Sequence, residues 1–288
     1  MKNAVRDKQV LLHTILISCV ALTFVPFVFI IVTSFKSNDQ FMHNFWGLSS
    51  TIELGNYVTA GGAIAPYILN SLSVTVFSVI GVLIVSSLTA YAFARYKFPG
   101  SQPLYYAVLA FMMIPGVLTL ISSFMWVKEF PFLGGNNYLG IGGQGMINSH
   151  IALILPYISG GQVFAIIVLR SFFASLPESM FEAAKIDGAS DMKIFLSLAV
   201  PLSKPALSTM AIITMLNVWN DFIWPSIVLS DNARKTITAG LVAFQGTHNT
   251  NYGPLMAGYV LASIPLLILF FVFMKYFVEG LTAGSAKG

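Results

Sequence analysis

The sequence predicts an all-α polytopic membrane protein, with six transmembrane helices and one short cytoplasmic helix offered from a loop between them. Three observations carry this. The 288 residues are 56% hydrophobic and only 9% charged, against about 25% charged in a soluble domain. Six apolar runs, at about 10–34, 68–94, 104–127, 149–170, 205–228 and 256–277, are long enough to span, since a helix needs about 20 residues to cross about 30 Å of hydrocarbon. Lipid admits only helices or closed barrels, and these runs lack the length and strict alternation of barrel strands. Finally, one long polar interruption, Leu176–Pro205, takes up most of the loop 171–204, ends at the start of the fifth span, and holds Glu178, Glu182, Lys185, Asp187, Asp191, Lys193 and Lys204. Residues 1–288 are read as a single transmembrane domain.

Several functional classes drop out at this stage. The net charge of +4 is scattered between apolar blocks, which is unlike a nucleic-acid-binding surface. Cys19 is the single cysteine and can form no internal disulfide. His13, His43, His150 and His248 are too far apart to read as a metal set. There is no nucleophile–base pair, no paired carboxylates and no Walker motif, so neither enzyme chemistry nor P-loop ATP binding is expected of this chain, nor a cofactor or metal of its own.

Taken in order, Lys2, Arg6 and Lys8 precede a charge-free run from Gln9 to Phe35. That run far exceeds the about 7–15 apolar residues of a signal peptide, so it is expected to stay as the first span. Lysine and arginine set the orientation. With the N-terminus inside, Lys2, Arg6, Lys8, Arg95, Lys97, Arg170, Lys185, Lys193, Lys204, Lys275 and Lys287 fall inside, and Lys36, Lys128, Arg234 and Lys235 fall outside. Both termini are therefore expected in the cytoplasm. Segment 36–67, with Trp46, Tyr57, Gly61 and Gly62, is expected outside, either at the interface or against a partner. The second span ends at the basic anchor Arg95-Tyr96-Lys97, and Pro99-Gly100 turns the chain. Pro115-Gly116 predicts a kink in the third span. In the outer loop 128–148, Gly140, Gly142 and Gly145 fit G-x-G-x-x-G. No strand precedes them and no acidic residue follows at about 20 positions, so dinucleotide binding is discounted.

The polar interruption reads as two short helices. Ser175 and Glu178 fit a capping box around Pro177, Gly188 is a left-handed stop, Ser190 caps the second helix and Pro201 ends it. Met180, Phe181 and Ala184 make one face apolar, and Ala183 and Ala184 let another protein approach the backbone closely. The alternative is an amphipathic helix lying on the membrane, for which the apolar face is small and the charge too acidic. The fifth span carries Asn217, Trp219, Asn220 and Asp221, the carboxylate about 24 Å from Pro205. Pro225 has no N–H to give the Asp221 carbonyl. Two readings stand open: hydrogen-bond glue between helices, worth about 0.6 kcal/mol per contact, with Trp219 and Trp224 in an aromatic belt; or the polar wall of a translocation path. Segment 229–255 is polar, with Asp231, Gln245, His248 and Asn249 among its residues, and a small-residue tail follows Lys275-Tyr276 to Gly288.

The run Glu182, Ala183, Ala184, Asp187, Gly188, Ala189, followed by Val200, Pro201 and Pro205, resembles the signature of ABC importer permeases, and most resembles the binding-protein-dependent sugar branch of maltose type. Weaker echoes are Ser34-Phe35-Lys36, Asn70-Ser71-Leu72, Tyr91-Ala92-Phe93-Ala94-Arg95 and Trp219-Asn220-Asp221-Phe222. The resemblance implies that Phe181, Glu182, Ala183, Ala184, Asp187, Gly188 and Ala189 belong to a coupling helix docking on two cytoplasmic ATPase subunits, which hold the ATP and Mg. It implies a second related permease subunit, an extracytoplasmic solute-binding protein and a sugar substrate. It makes Asn217, Trp219, Asn220 and Asp221 candidates for the path or gate, and Gly280, Leu281 and Thr282 a tail that reaches the ATPase subunits. The alternative is an ion-coupled secondary transporter using Asp221; a lone acidic group makes it the weaker reading.

Overall fold

The computed structural model describes residues 2–49, 51–246 and 251–285, with side chains described for 9–49, 51–246, 251–272 and 274. In chain order its helices are α1 (Lys2–Ser34), α2 (Asn38–His43), α3 (Gly55–Arg95), α4 (Ser101–Met112), α5 (Leu120–Lys128), α6 (Ile151–Ser175), α7 (Glu178–Ile186), α8 (Asp191–Ile194), α9 (Val200–Leu202), α10 (Lys204–Asn220), α11 (Ile223–Val228), α12 (Ile237–Phe244) and α13 (Tyr252–Ser285). Four of the described helical stretches are long and apolar enough to cross a membrane: Gln9–Ser34, Gly55–Arg95, Ile151–Ser175 and Tyr252–Val272. Two further pairs reach that length only across a bend, giving six if each pair is one span.

One bend sharpens an expected kink. The run 104–127 breaks at Pro115-Gly116, where the kink is expected, into two helices. Ser101–Met112 and Gly116–Lys128 meet at 95°. Pro115 disfavours helical backbone at Ile114, and the chain re-enters through a 3-10 turn at Gly116–Thr119. The run 205–228 also starts at a bend, since Asp191–Leu202 meets Lys204–Asn220 at 76°, and its helix stops at Asn220. The second span is longer than the expected 68–94. α3 has 41 residues, about 60 Å at 1.5 Å per residue, so it takes in residues 55–67 of the expected outer segment 36–67.

The chain divides into two units. The first comprises Met1–Ala65 and Leu241–Pro265. Here α1 is apolar all round, and its most apolar window has no buried residues, the pattern of a helix facing lipid or a partner. Its end is closed by Asn56, whose Nδ2 donates to the carbonyls of Ser34 and Lys36 at 2.9 Å each, satisfying acceptors a helix end leaves free. Lys36 is buried, and its Nζ donates to the carbonyls of Asn44 (2.8 Å) and Phe45 (2.9 Å). Phe41 stacks on Tyr252 at 4.2 Å between centroids.

The second unit comprises Pro66–Gly240 and Leu266–Gly288. It holds two apolar cores. One gathers Tyr91, Leu169, Phe173, Phe181, Phe195 and Met210. The other gathers Val74, Val127, Leu153, Trp224 and Val228. The former ties the 176–205 segment to α3 and α6; the latter surrounds the break after α10. The glycine-rich loop between α5 and α6 is packed on itself. A Cβ at Gly145 (φ +58°) would strike the carbonyls of Val127 and Lys128, so backbone proximity accounts for that glycine without any nucleotide.

Candidate functional site

The site is a helical hairpin with a locked base and an open tip. α7 begins at Glu178 behind Pro177, with no side-chain cap. The expected capping box does not form, because the Ser175 hydroxyl donates back to the Phe172 carbonyl at 2.7 Å and so belongs to the end of α6. The stop at Gly188 is as expected. Its φ is +74°, its N–H donates to the Lys185 carbonyl and that of Ala189 donates to Ala184, both at 3.0 Å. This is the paired 5→2 and 6→1 closure of a Schellman motif. Ser190 does cap the second helix, accepting the Lys193 N–H at 3.4 Å.

Pro201 does not end that helix. α8 passes into a π turn at Phe195–Ala199, in which the Val200 N–H reaches the Phe195 carbonyl, and Pro201 sits in α9 beyond it. The wider π turn is where a helix absorbs an extra residue. The helix stops at Ser203, where the chain bends into α10.

Arg95 holds the base together. Its Nη2 donates to the carbonyls of Phe173 and Leu176, both at 2.7 Å, which are acceptors that the end of α6 leaves free. The guanidinium lies 3.9 Å over the Phe181 ring, a cation–π contact. Tyr91 packs against Phe195 at 5.1 Å and Phe173 at 5.7 Å between centroids. Just past α3, partial burial and then the hydrogen bond and charge of Asp191 push the Tyr96 phenol up to about 12.

Of the coupling residues expected from the sequence, Phe181 is buried in this base, and Ala184 and Ala189 are half-buried. Glu182, Ala183, Asp187 and Gly188 are exposed at the tip. Sequence reasoning missed Ile186, which is 86% exposed between them. Its signal was a branched apolar residue set among Lys185, Asp187 and the stop glycine. It also gave Arg95 only the part of a basic anchor.

The residues of the expected path separate. α10 ends at Asn220, so Asp221 lies at a break with extended backbone, not in mid-helix as its expected span had it. Its Oδ1 accepts the N–H groups of Ile223 (3.0 Å) and Trp224 (3.3 Å), and its Oδ2 accepts the Tyr157 hydroxyl at 2.8 Å. The carbonyl that Pro225 leaves without an N–H accepts the Thr238 hydroxyl at 2.6 Å. Trp219 is buried, and Trp224 is buried with its Nε1 donating to the Ala152 carbonyl at 3.1 Å, so neither stands in an aromatic belt. Asn217 and Asn220 are exposed, and Asn220 bonds only its own helix, at the Leu216 carbonyl. A cavity of about 780 Å³ opens instead at the bent third span, lined by Thr119, Ser122, Ser123, Trp126 and Ser159. Gly280, Leu281 and Thr282 continue α13, and their side chains lie outside the described residues, as do His248 and Asn249.

The hairpin is thus a short exposed helix between two longer apolar segments, buttressed from behind by α3 and α6. Residues 83–282 match the family described as binding-protein-dependent transport system inner membrane component. The chain belongs to this family. Among the relatives of this permease, the probable ABC transporter permease protein YurM of Bacillus subtilis is 31% identical over 91% of this chain and 83% of its own. The diacetylchitobiose uptake system permease protein NgcG of Streptomyces coelicolor is 30% identical, covering 96% of this chain and 88% of its own. The trehalose/maltose transport system permease protein MalG of Thermococcus litoralis is 32% identical over 91% of each. In fold, the permease resembles a chain of a bacterial ABC transporter that imports the acidic polysaccharide alginate, with a TM-score of 0.76, 20% identity, and 94% and 97% of the two chains covered. A chain of the inward-facing MetNI methionine ABC transporter matches with a TM-score of 0.54 and 18% identity, over 74% of this chain and 94% of that one.

Proposed function

We propose that this permease subunit imports a sugar or oligosaccharide, with α7 docked on separate ATPase subunits that hold the ATP and Mg. The observation that carries the docking is the hairpin itself. Its base is fixed by Arg95, while Glu182, Ala183, Ile186 and Asp187 stand clear. An element fixed to α3 and α6 passes displacement to them instead of absorbing it. The sugar assignment is supported by relatives whose names specify diacetylchitobiose, trehalose and maltose, and arabinooligosaccharides. A second permease subunit, an extracytoplasmic binding protein and two ATPase subunits would complete the importer in the cytoplasmic membrane, with both termini of this chain cytoplasmic. ATP drives access only as far as the ATPase states differ in their contact with α7. The ion-coupled reading is not favoured, because the Asp221 carboxylate is taken up by Tyr157 and two backbone N–H groups.

Crosslinking tests the docking. With Cys19, the sole cysteine, replaced by serine, Ile186→Cys in the assembled importer should crosslink to an ATPase subunit. Glu182→Lys should abolish ATP-dependent oligosaccharide uptake in proteoliposomes without lowering the melting temperature. Crosslinks confined to lipid or to the chain itself, or uptake by the isolated chain on an ion gradient alone, would end the proposal.

A further inference from the structure

We propose that a basic cavity beside the hairpin base binds the phosphate headgroup of an anionic phospholipid. The proposal is independent of which solute is carried. The cavity, about 380 Å³, is lined by Arg95, Lys97, Arg170, Ser101, Gln102 and Tyr105, with Glu178 the only acidic residue on its wall. Three cations therefore face one carboxylate. None of them is in an ion pair: among the described residues those pairs are His43 with Asp39 and Arg234 with Asp231, both elsewhere.

The two arginines are placed, not loose. The Arg170 guanidinium lies 3.9 Å over the Tyr105 ring, and Arg95 is held by its two carbonyls. Each nevertheless keeps a buried Nε with no acceptor, and a buried donor left unpaired in a native protein calls for an explanation. Planar guanidinium groups suit phosphate oxygens, and the hydroxyls of Ser101 and Tyr105 supply further donors. The start of the 12-residue α4, which has no side-chain cap, borders the same cavity and adds the positive end of a helix dipole.

Position favours a lipid over a free anion. Arg95 closes the α3 span, Arg170 lies in the last turns of α6, and Ser101 opens α4, so the cavity sits where spans end and headgroups begin. Beyond it α4 buries none of its residues, and Leu104, Tyr106 and Phe111 are exposed along it, an apolar track for an acyl chain. Basic pockets between membrane helices are recognised headgroup sites.

The test uses the full chain in nanodiscs of phosphatidylcholine with a minor fraction of phosphatidylglycerol, the lipid retained after mild detergent extraction being counted by native mass spectrometry. Wild type should retain phosphatidylglycerol preferentially. The Lys97→Gln/Arg170→Gln pair should lower that preference about tenfold, exposed Lys97→Gln alone less, and Lys128→Gln, at the far end of α5, not at all. Millimolar inorganic phosphate should not displace the lipid. Equal retention of both lipids by wild type, unchanged preference in the double variant, or displacement by inorganic phosphate overturns the proposal. Should the double variant lose its melting transition in phosphatidylcholine alone, Lys97→Gln decides: a lowered preference supports the site, an unchanged one overturns it.

Discussion

The hairpin at 176–205 and the break at 220–223 both set acidic residues between apolar helices, and they are built in opposite ways. At the hairpin the carboxylates of Glu182 and Asp187 stand in the open while Phe181 is pinned under Arg95. At the break the carboxylate itself is pinned, by Tyr157 and two N–H groups, while Asn217 and Asn220 point outward. An acidic residue near a helix end can thus stand free in solvent or be the knot that permits a break. What differs is the helix end beside each. The end of α7 at Gly188 leaves carbonyls, which a carboxylate cannot pair with and the Schellman closure satisfies, whereas the start of α11 leaves N–H groups, which Asp221 accepts.

The largest effect expected from breaking this contrast is at Gly188. Proline, locked near −65°, cannot take the +74° found there, so Gly188→Pro should reduce uptake in proteoliposomes to background while the protein still inserts. Next, Arg95→Ala removes two charge-assisted hydrogen bonds and the contact with Phe181 and should cost about 2–4 kcal/mol, read as a lowered melting temperature in detergent. Asp221→Ala should cost about 1–3 kcal/mol by leaving N–H groups and the Tyr157 hydroxyl unpaired. Asp221→Asn, still an acceptor, should keep both stability and ATP-dependent transport; transport lost with stability retained would revive an ionisable role. The smallest effect is at Ser190, whose cap is long at 3.4 Å: Ser190→Ala should cost about 0.5 kcal/mol, measurable as a shift in denaturation of the reconstituted chain.

Much of the fold was legible because apolar length and turn chemistry are local. Four spans, the Gly188 stop and the Ser190 cap follow from a few adjacent residues. What escaped depends on partners distant in sequence. Ser175 could be read as a cap for α7, but the Phe172 carbonyl competes for it within α6. Phe181 and Ala184 mark an apolar face, yet only the presence of Arg95 and Tyr91 shows that Phe181 turns inward. Asp221 reads as part of a continuous fifth span, and only Tyr157 and Thr238 reveal the break it stabilises. The weaker family echoes prove to be hydrogen-bond pegs. Asn70 donates to the carbonyls of Ala233 and Lys235, and the Ser71 hydroxyl accepts the Ile237 N–H at 2.7 Å. Such residues read as merely polar until the strand of chain they fasten is known. The cavity at the bent third span, largely apolar with a few hydroxyls from Thr119, Ser122, Ser123 and Ser159, had no sequence signal beyond Pro115-Gly116.

The burial of Lys36 bears on how the topology of this protein is mapped. Its ammonium is enclosed, held by two carbonyls, and lowered below the usual lysine range by that enclosure. An impermeant amine-reactive reagent applied to intact cells should modify exposed Lys128 and pass over Lys36, although charge counting puts both on the same face of the membrane. Silence at that position would reflect shielding, and a label scored without the fold in view would assign the first connecting segment to the wrong compartment.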